Sequence, residues 1–272
     1  MKKNKLIVTK SNALVEAGYR LSLDEQRLIL LAIGKIESRD AALTSKDSFT
    51  ISAKEFAIFT KGDTSNSYRS IESASQDLFE RRITFYEKDT GSVLVTRWVS
   101  AVKYNEASGT VDLRFAQDVL PLLTQIKGYF TQYNLENISQ LSSIHAIRIY
   151  EFCLQYISTG KREMSLDEFK YFLGIEDLYP EFKALNQRVL KSSIKQINDH
   201  TDIKVKVVPI RKLRKIVSLR FEIESKKTRS IKLSNQKTNS ELKKISSAIP
   251  HIPKKNPKQQ TIPSFILNTT LN

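Results

Sequence analysis

Apolar and polar positions along this 272-residue chain fall into two successive series of the same kind. The first opens with DEQRLILLAIGKI (Asp24–Ile36), whose apolar residues recur at helical spacing. A Ser22–Glu25 capping box precedes it: the serine hydroxyl accepts a free backbone N–H, and the glutamate reaches back to the serine's own N–H. The second opens with SSIHAIRIYEFCLQYI (Ser142–Ile157), again an amphipathic helical pattern. Next come ISAKEFAIF (Ile51–Phe59) in the first series and MSLDEFKYF (Met164–Phe172) in the second. Both fit apolar-Ser-x-x-Glu-Phe-x-x-Phe, and they start 113 residues apart. Ser52 with Glu55, and Ser165 with Glu168, are capping boxes, and each phenylalanine pair is spaced i, i+3 on one helical face. Each stretch is predicted as a short helix entered from a brief strand. Longer helical patterns follow: SYRSIESASQDLFERR (Ser67–Arg82) and FKALNQRVLKSSIKQINDHT (Phe182–Thr201).

Strand-like alternation ends each series. After the first, ITFYEK, SVLVTRWVSAVKY and TVDLRF predict three strands over residues 83–115, separated by DTG and NEASG. After the second, IKVKVV and IVSLRFEI predict a single hairpin whose tip is PIRKLRK (Pro209–Lys215). Ile203, Val205 and Val207 face one side of it, Lys204 and Lys206 the other. Helix, short helix, turn, longer helix and hairpin make a helix-turn-helix with an appended wing. The expected fold class is α+β: two tandem winged-helix domains related as a pseudo-repeat, over residues 1–140 and 141–224. Between them Ala116–Leu141 has enough Leu, Phe and Tyr to pack rather than swing as a linker. Residues 225–272 are rich in Lys, Ser, Asn and Pro without an apolar face, and are expected to be a basic, disordered tail.

Composition adds a partner and a compartment. Apolar residues make up 40%, enough for sizeable cores, and no apolar run reaches membrane-spanning length. The basic opening MKKNKLIVTKSN has too short an apolar stretch for a secretory signal. The one cysteine, Cys153, excludes disulfide frameworks and thiolate zinc sites and is expected as a buried hydrophobe. A cytoplasmic setting follows. The net charge of +15 favours a polyanionic partner. Residues 1–140 carry 19 Lys/Arg against 17 Asp/Glu, residues 141–224 carry 15 against 11, and residues 225–272 carry 10 against 1.

The two longer helices differ in charge. Ser67–Arg82 balances Arg69, Arg81 and Arg82 against Glu72, Asp77 and Glu80. Phe182–Thr201 sets Lys183, Arg188, Lys191 and Lys195 against Asp199 alone. On a helical projection Phe182, Leu185, Val189, Leu190, Ile194 and Ile197 cover one half. Gln187, Arg188, Lys191, Lys195 and Asn198 cluster on the other, with Ala184 allowing close approach. Arg and Lys can read guanine, Gln and Asn can read adenine, and the remaining charge meets phosphate. Arg211, Lys212, Arg214 and Lys215 stand at the wing tip, where backbone or minor groove would lie. Double-stranded DNA is therefore the expected partner of the second unit, through these residues together with Ser192. The first unit's extra strands offer edges for pairing with a second copy.

Catalytic constellations are missing. His145, His200 and His251 lack metal-ligand spacing and the His-x-His of a metal-dependent nickase, and no phosphate-binding Gly-rich loop occurs. A binding protein without cofactor or metal is expected. In the tail, Gln259, Ile262 and Phe265 loosely match the spacing of peptides that bind DNA sliding clamps.

Residues 6–224 resemble the theta-type plasmid replication initiators, Rep proteins with two winged-helix domains. The resemblance lies in VTKSNALVEAGYRLSLDEQRLILLAIGKI, in GYFTQYNLENISQLSSIHAIRIYEFCLQY with its Ser-x-x-x-x-Arg-x-Tyr-Glu run (Ser143–Glu151), and in FKALNQRVLKSSIKQINDHTDIKVKVVPIRKLRKIVSLRFEI. It implies binding of directly repeated origin sequences (iterons), opening of the adjoining AT-rich duplex, and recruitment of the host initiator and helicase. It implies monomers that initiate, and dimers that repress their own gene. The second domain would read iterons and the first would carry dimerisation and an auxiliary DNA contact. Where relatives often have Pro-Ala and Gly-Arg, this chain has Ser192-Ser193 and Leu213-Arg214. The alternatives are a transcriptional regulator with the same DNA-binding parts, and a membrane-surface or scaffold protein using the basic tail.

Overall fold

A computed structural model describes residues 6–36, 42–86, 91–124, 126 and 128–226. The tail from 227 onward, with Gln259, Ile262 and Phe265, lies outside the described residues.

All three capping boxes form. Ser22 Oγ accepts from Glu25 N at 3.2 Å and Glu25 Oε2 accepts from Ser22 N at 2.7 Å, starting α2 (Leu23–Gly34) after β1 (Ile7–Ser11) and α1 (Asn12–Glu16). Ser52 and Glu55 start α3 (Ala53–Thr60) directly out of β2 (Phe49–Ser52). Ser165 and Glu168 start α6 (Leu166–Leu173) out of β8 (Lys161–Ser165). Each short helix buries its first phenylalanine, Phe56 or Phe169; Phe172 is also buried and Phe59 half-buried. The long helices are α4 (Thr64–Glu80) and, in the second unit, a continuous run of α7 (Phe182–Leu185), a π turn (Asn186–Leu190) and α8 (Lys191–His200).

Antiparallel sheets close each unit. β2 pairs with β6 (Thr110–Phe115), which pairs with β5 (Val99–Asn105). In the second unit the order is β8–β10–β9, with β9 at Ile203–Lys212 and β10 at Lys215–Ser225. The predicted strand SVLVTRWVSAVKY is instead two strands. It breaks at Trp98 into β4 (Val93–Arg97), which pairs with β3 (Arg82–Tyr86), and β5 in the other sheet. Trp98 is buried at the break, 4.9 Å from Tyr19 in an edge-on pair, and its carbonyl accepts the Ala116 N–H. The predicted hairpin of the second unit gains β8 as a third strand. β10 also runs one residue past 224, since Ser225 pairs with Ile203.

The segment Ala116–Leu141 packs as expected. Its β7 (Phe130–Asn134) pairs with β1, Val8 opposite Tyr133. One apolar core runs through both units. Phe152 on α5 (Ile144–Gln155) lies 5.3 Å from Phe172 and 5.4 Å from Phe221, joining α5, α6 and β10. Cys153 is buried, and burial pushes its thiol pKa up, away from the thiolate form. No helix among the described residues is long and apolar enough to cross a membrane.

Buried polar groups fasten α5 to the N-terminal segment. Arg148, fully buried, donates to the carbonyls of Val15, Ala17 and Tyr19 at 3.2, 2.8 and 3.2 Å, and its guanidinium stacks 3.5 Å from the centre of the Tyr19 ring. Lys10 of β1 pairs with Glu151 at 2.6 Å. Sequence periodicity places both residues on helix or strand but not against each other.

Candidate nucleic-acid interface

The helical run Phe182–His200 turns its apolar side inward: Leu185, Val189, Leu190 and Ile197 are buried, with Phe182 and Ile194 half-buried. Lys183, Gln187, Arg188, Lys191, Ser192 and Lys195 are exposed. The π turn Asn186–Leu190 adds a residue to one turn of the helix at the centre of this row, and such turns recur at functional sites. Ser193, next to exposed Ser192, is sealed in the core.

Two members of the expected row are committed elsewhere. The half-buried Asn198 faces the edge strand β9: its Nδ2 donates to the Val205 carbonyl at 2.9 Å, and its Oδ1 accepts the Val205 N–H at 2.7 Å. Among the described residues no strand pairs with the outer edge of β9, and the amide takes that place. Lys195 meets Asp199 one turn on at 2.6 Å, and that hydrogen bond holds the Asp199 carboxyl below its ordinary pKa. The pair is solvent-exposed and weak, yet it offsets part of the helix's charge.

Acids lie closer than the helix itself indicates. The turn between α6 and α7 exposes Glu176 and Asp177, and Glu181 stands immediately before Phe182. They sit at the N-terminal end, so the uncompensated positive charge centres on Arg188 and Lys191.

The wing divides its charges. On the stem Lys206 pairs with Glu222 at 3.2 Å, and Arg220 pairs with Glu163 at 3.1 Å across β10 and β8. At the tip Arg211, Lys212, Arg214 and Lys215 are all exposed, and no ion pair engages them among the described residues. Lys206 and Arg220 on the stem thus have carboxylate partners, and the tip charges face solvent.

The first unit's helix is unlike this. Arg81 forks onto the buried carboxylate of Glu25, Nη2 to Oε1 at 2.9 Å, which raises the guanidinium pKa. Arg97 takes Glu80 at 2.9 Å. Within α4 itself, Arg69 is the basic side chain left to solvent. Beside α4, the hairpin β3–β4 exposes Val93, Leu94 and Val95 along β4, whose second edge carries no strand among the described residues. Sequence reading singled out the first unit's strands as pairing edges but had no signal to choose β4, because an apolar run reads the same buried or bare. Among the described residues no group of three or more His, Cys, Asp or Glu could hold a metal ion.

Two helix-turn-helix units, each closed by an antiparallel sheet, with a cationic helix and hairpin tip on the second, define a double winged-helix DNA-binding protein. Residues 7–154 match the family described as "Initiator Replication protein, WH1", and residues 165–223 match "Initiator Rep protein, WH2". The chain belongs to this family, the plasmid replication initiators. A "Replication initiation protein" of Escherichia coli is 30% identical over 255 residues, 91% of this chain and 78% of that protein. An "Uncharacterized 27.6 kDa protein" of Escherichia coli is 24% identical over 216 residues, 74% of this chain and 89% of that protein. The fold matches the Pi initiator protein, solved in complex with iteron DNA, at a TM-score of 0.69 and 23% identity, over 81% of this chain and 98% of that one.

Proposed function

We propose that this initiator recognises directly repeated duplex DNA at a plasmid origin through its second winged helix. Arg188 and Lys191, with Gln187, Lys183 and Ser192 beside them, enter the major groove. Arg211, Lys212, Arg214 and Lys215 hold the adjacent backbone or minor groove. The observation that carries this reading is the division of charge on the second unit: Lys206 and Arg220 on the stem and Lys195 on the helix have carboxylate partners, while among the described residues no ion pair engages Arg188, Lys191 or the four cations of the wing tip. The iteron DNA bound by the similarly folded Pi protein points the same way.

Bound monomers would open the neighbouring AT-rich duplex and bring in the host initiator and helicase, in the cytoplasm and without catalysis by the protein itself. A second copy would dock on the first unit along the free edge of β4, giving a dimer that represses its own gene. Gln259, Ile262 and Phe265 would add a sliding-clamp contact.

A gel shift with the purified chain tests the reading, using the DNA flanking its gene and a scrambled duplex at two salt concentrations. Preference for flanking direct repeats, with affinity falling steeply as salt rises, is expected. Equal affinity for both duplexes would refute it.

A further inference from the structure

The turn between β9 and β10 places an apolar side chain where a hairpin gains least from one. Lys212 pairs with Lys215, so the loop is Leu213 and Arg214 alone. Leu213 has φ +57°, the left-handed region in which a side chain is disfavoured and glycine or asparagine is at ease. Its side chain is 95% exposed, so no burial in the protein offsets that strain. The residue is unfavourable to the folded chain in backbone and in solvation alike, and whatever it contributes must come from a partner.

Its neighbours select that partner. Arg211, Lys212, Arg214 and Lys215 flank it on both sides, exposed and outside any ion pair among the described residues. An apolar residue at the apex of four cations suits a surface that is anionic outside and apolar within. The minor groove is such a surface: phosphates line its rims, and apolar side chains, leucine among them, wedge between its base steps. Three residues beyond the loop, the ladder slips between Ile216 and Ser218. Such a bulge bends the strand and adds twist near the tip.

We propose that Leu213 is a wedge that enters the minor groove beside the segment read by the helix, parts one base step and bends the duplex toward the major groove. The proposal rests on the second winged helix being the DNA reader. It adds how the wing contributes selectivity without hydrogen-bonding a base: the step beneath it must be one that unstacks easily, a pyrimidine–purine step.

The test uses the full chain, wild type, Leu213→Asn and Leu213→Met, on a duplex carrying the flanking repeat with dyes at its ends. Affinity, its salt dependence and the bend angle are measured for each. Leu213→Asn suits the turn, so it should fold at least as well. It is expected to bind about tenfold more weakly and to lose about 20° or more of bend, while keeping the wild-type salt slope because no charge has changed. Leu213→Met, still a wedge, should keep affinity and bend. An Asn variant that binds and bends like wild type, or whose salt slope falls with its affinity, overturns the wedge alone. A wild-type chain with no preference for the repeat overturns the wedge and the reader assignment together.

Discussion

Lys10 Nζ on β1 lies 2.6 Å from Glu151 Oε1 on α5, with each side chain only 1% exposed. The Tyr133 hydroxyl donates to the same carboxylate oxygen at 2.6 Å, and burial together with that charge raises the tyrosine's pKa. Removing one partner of a pair this deep leaves the other buried without a counterpart, which is costly. The pair therefore ties the N-terminal strand β1 to α5. Glu151→Gln keeps the shape and the acceptor for Tyr133 but strands the ammonium. It is expected to destabilise the fold by about 3–5 kcal/mol, read by denaturant unfolding. The double replacement Lys10→Met with Glu151→Leu should recover much of that loss.

Arg188 and Asn198 lie on the same helix and separate reading from holding. Arg188→Ala should fold normally and weaken binding to the repeat by about 1–3 kcal/mol if the guanidinium contacts a base edge. If it meets phosphate alone, all duplexes should weaken alike and the salt slope should drop by about one. Asn198→Ala orphans the Val205 N–H and carbonyl on the edge of β9. It should lower unfolding stability by about 1–3 kcal/mol and leave sequence preference of the folded protein intact. Loss of preference at unchanged stability would return Asn198 to the reading face.

Gly174 closes α6 at φ +67°, and a Cβ there would stand 2.6 Å from the Tyr19 carbonyl oxygen. The Arg20 side chain also donates from Nε to the Gly174 carbonyl at 2.6 Å, a second contact between the helix end and the N-terminal segment. Gly174→Ala adds left-handed strain to a clash that no flexible side chain can relieve. Calorimetry should show a loss of about 1–3 kcal/mol, where the same change at the open turn residue Gly109 should show only the smaller strain.

His145 is half-buried at the start of α5, and burial, helped by the nearby Arg148 charge, lowers its pKa. The folded chain thus binds that proton less readily than the unfolded chain does. Its contribution to stability is complete above the unfolded value of about 6.5 and declines as pH falls below it toward the lowered folded value. Unfolding measured between about pH 7 and pH 5 should show that decline, and His145→Gln should flatten it. A profile that is equally steep in the variant would assign the slope to other groups.

Much of the architecture was legible because it is written in short-range spacing. Ser22/Glu25, Ser52/Glu55 and Ser165/Glu168 each lie three residues apart, and the same three pairs cap helices in the structure. The inward side of Phe182–His200 was legible for the same reason, since 3.6-residue periodicity fixes a face before any partner is known. Trp98 was not: an unbroken run of strand-forming residues surrounds it, and only the two sheets competing for that run show where it divides. Nor was Arg81, which counts as surface charge in any local tally and is spent on Glu25 across 56 residues of chain.

By itself, then, the sequence determined the two capped helical repeats, the family, and the location of excess positive charge, all properties of neighbours along the chain or of simple counts. The tertiary structure decided which charges remain available. Lys195, Arg220 and Arg81 are engaged by carboxylates, Asn198 is turned to the edge of β9, and Leu213 is left bare between unpaired cations. Apart from the single-turn Lys195–Asp199 pair and the seven-residue reach of Asn198 to Val205, those outcomes depend on atoms brought together by the packing of distant segments, or on the curvature of one hairpin, which residue identity at a position does not encode.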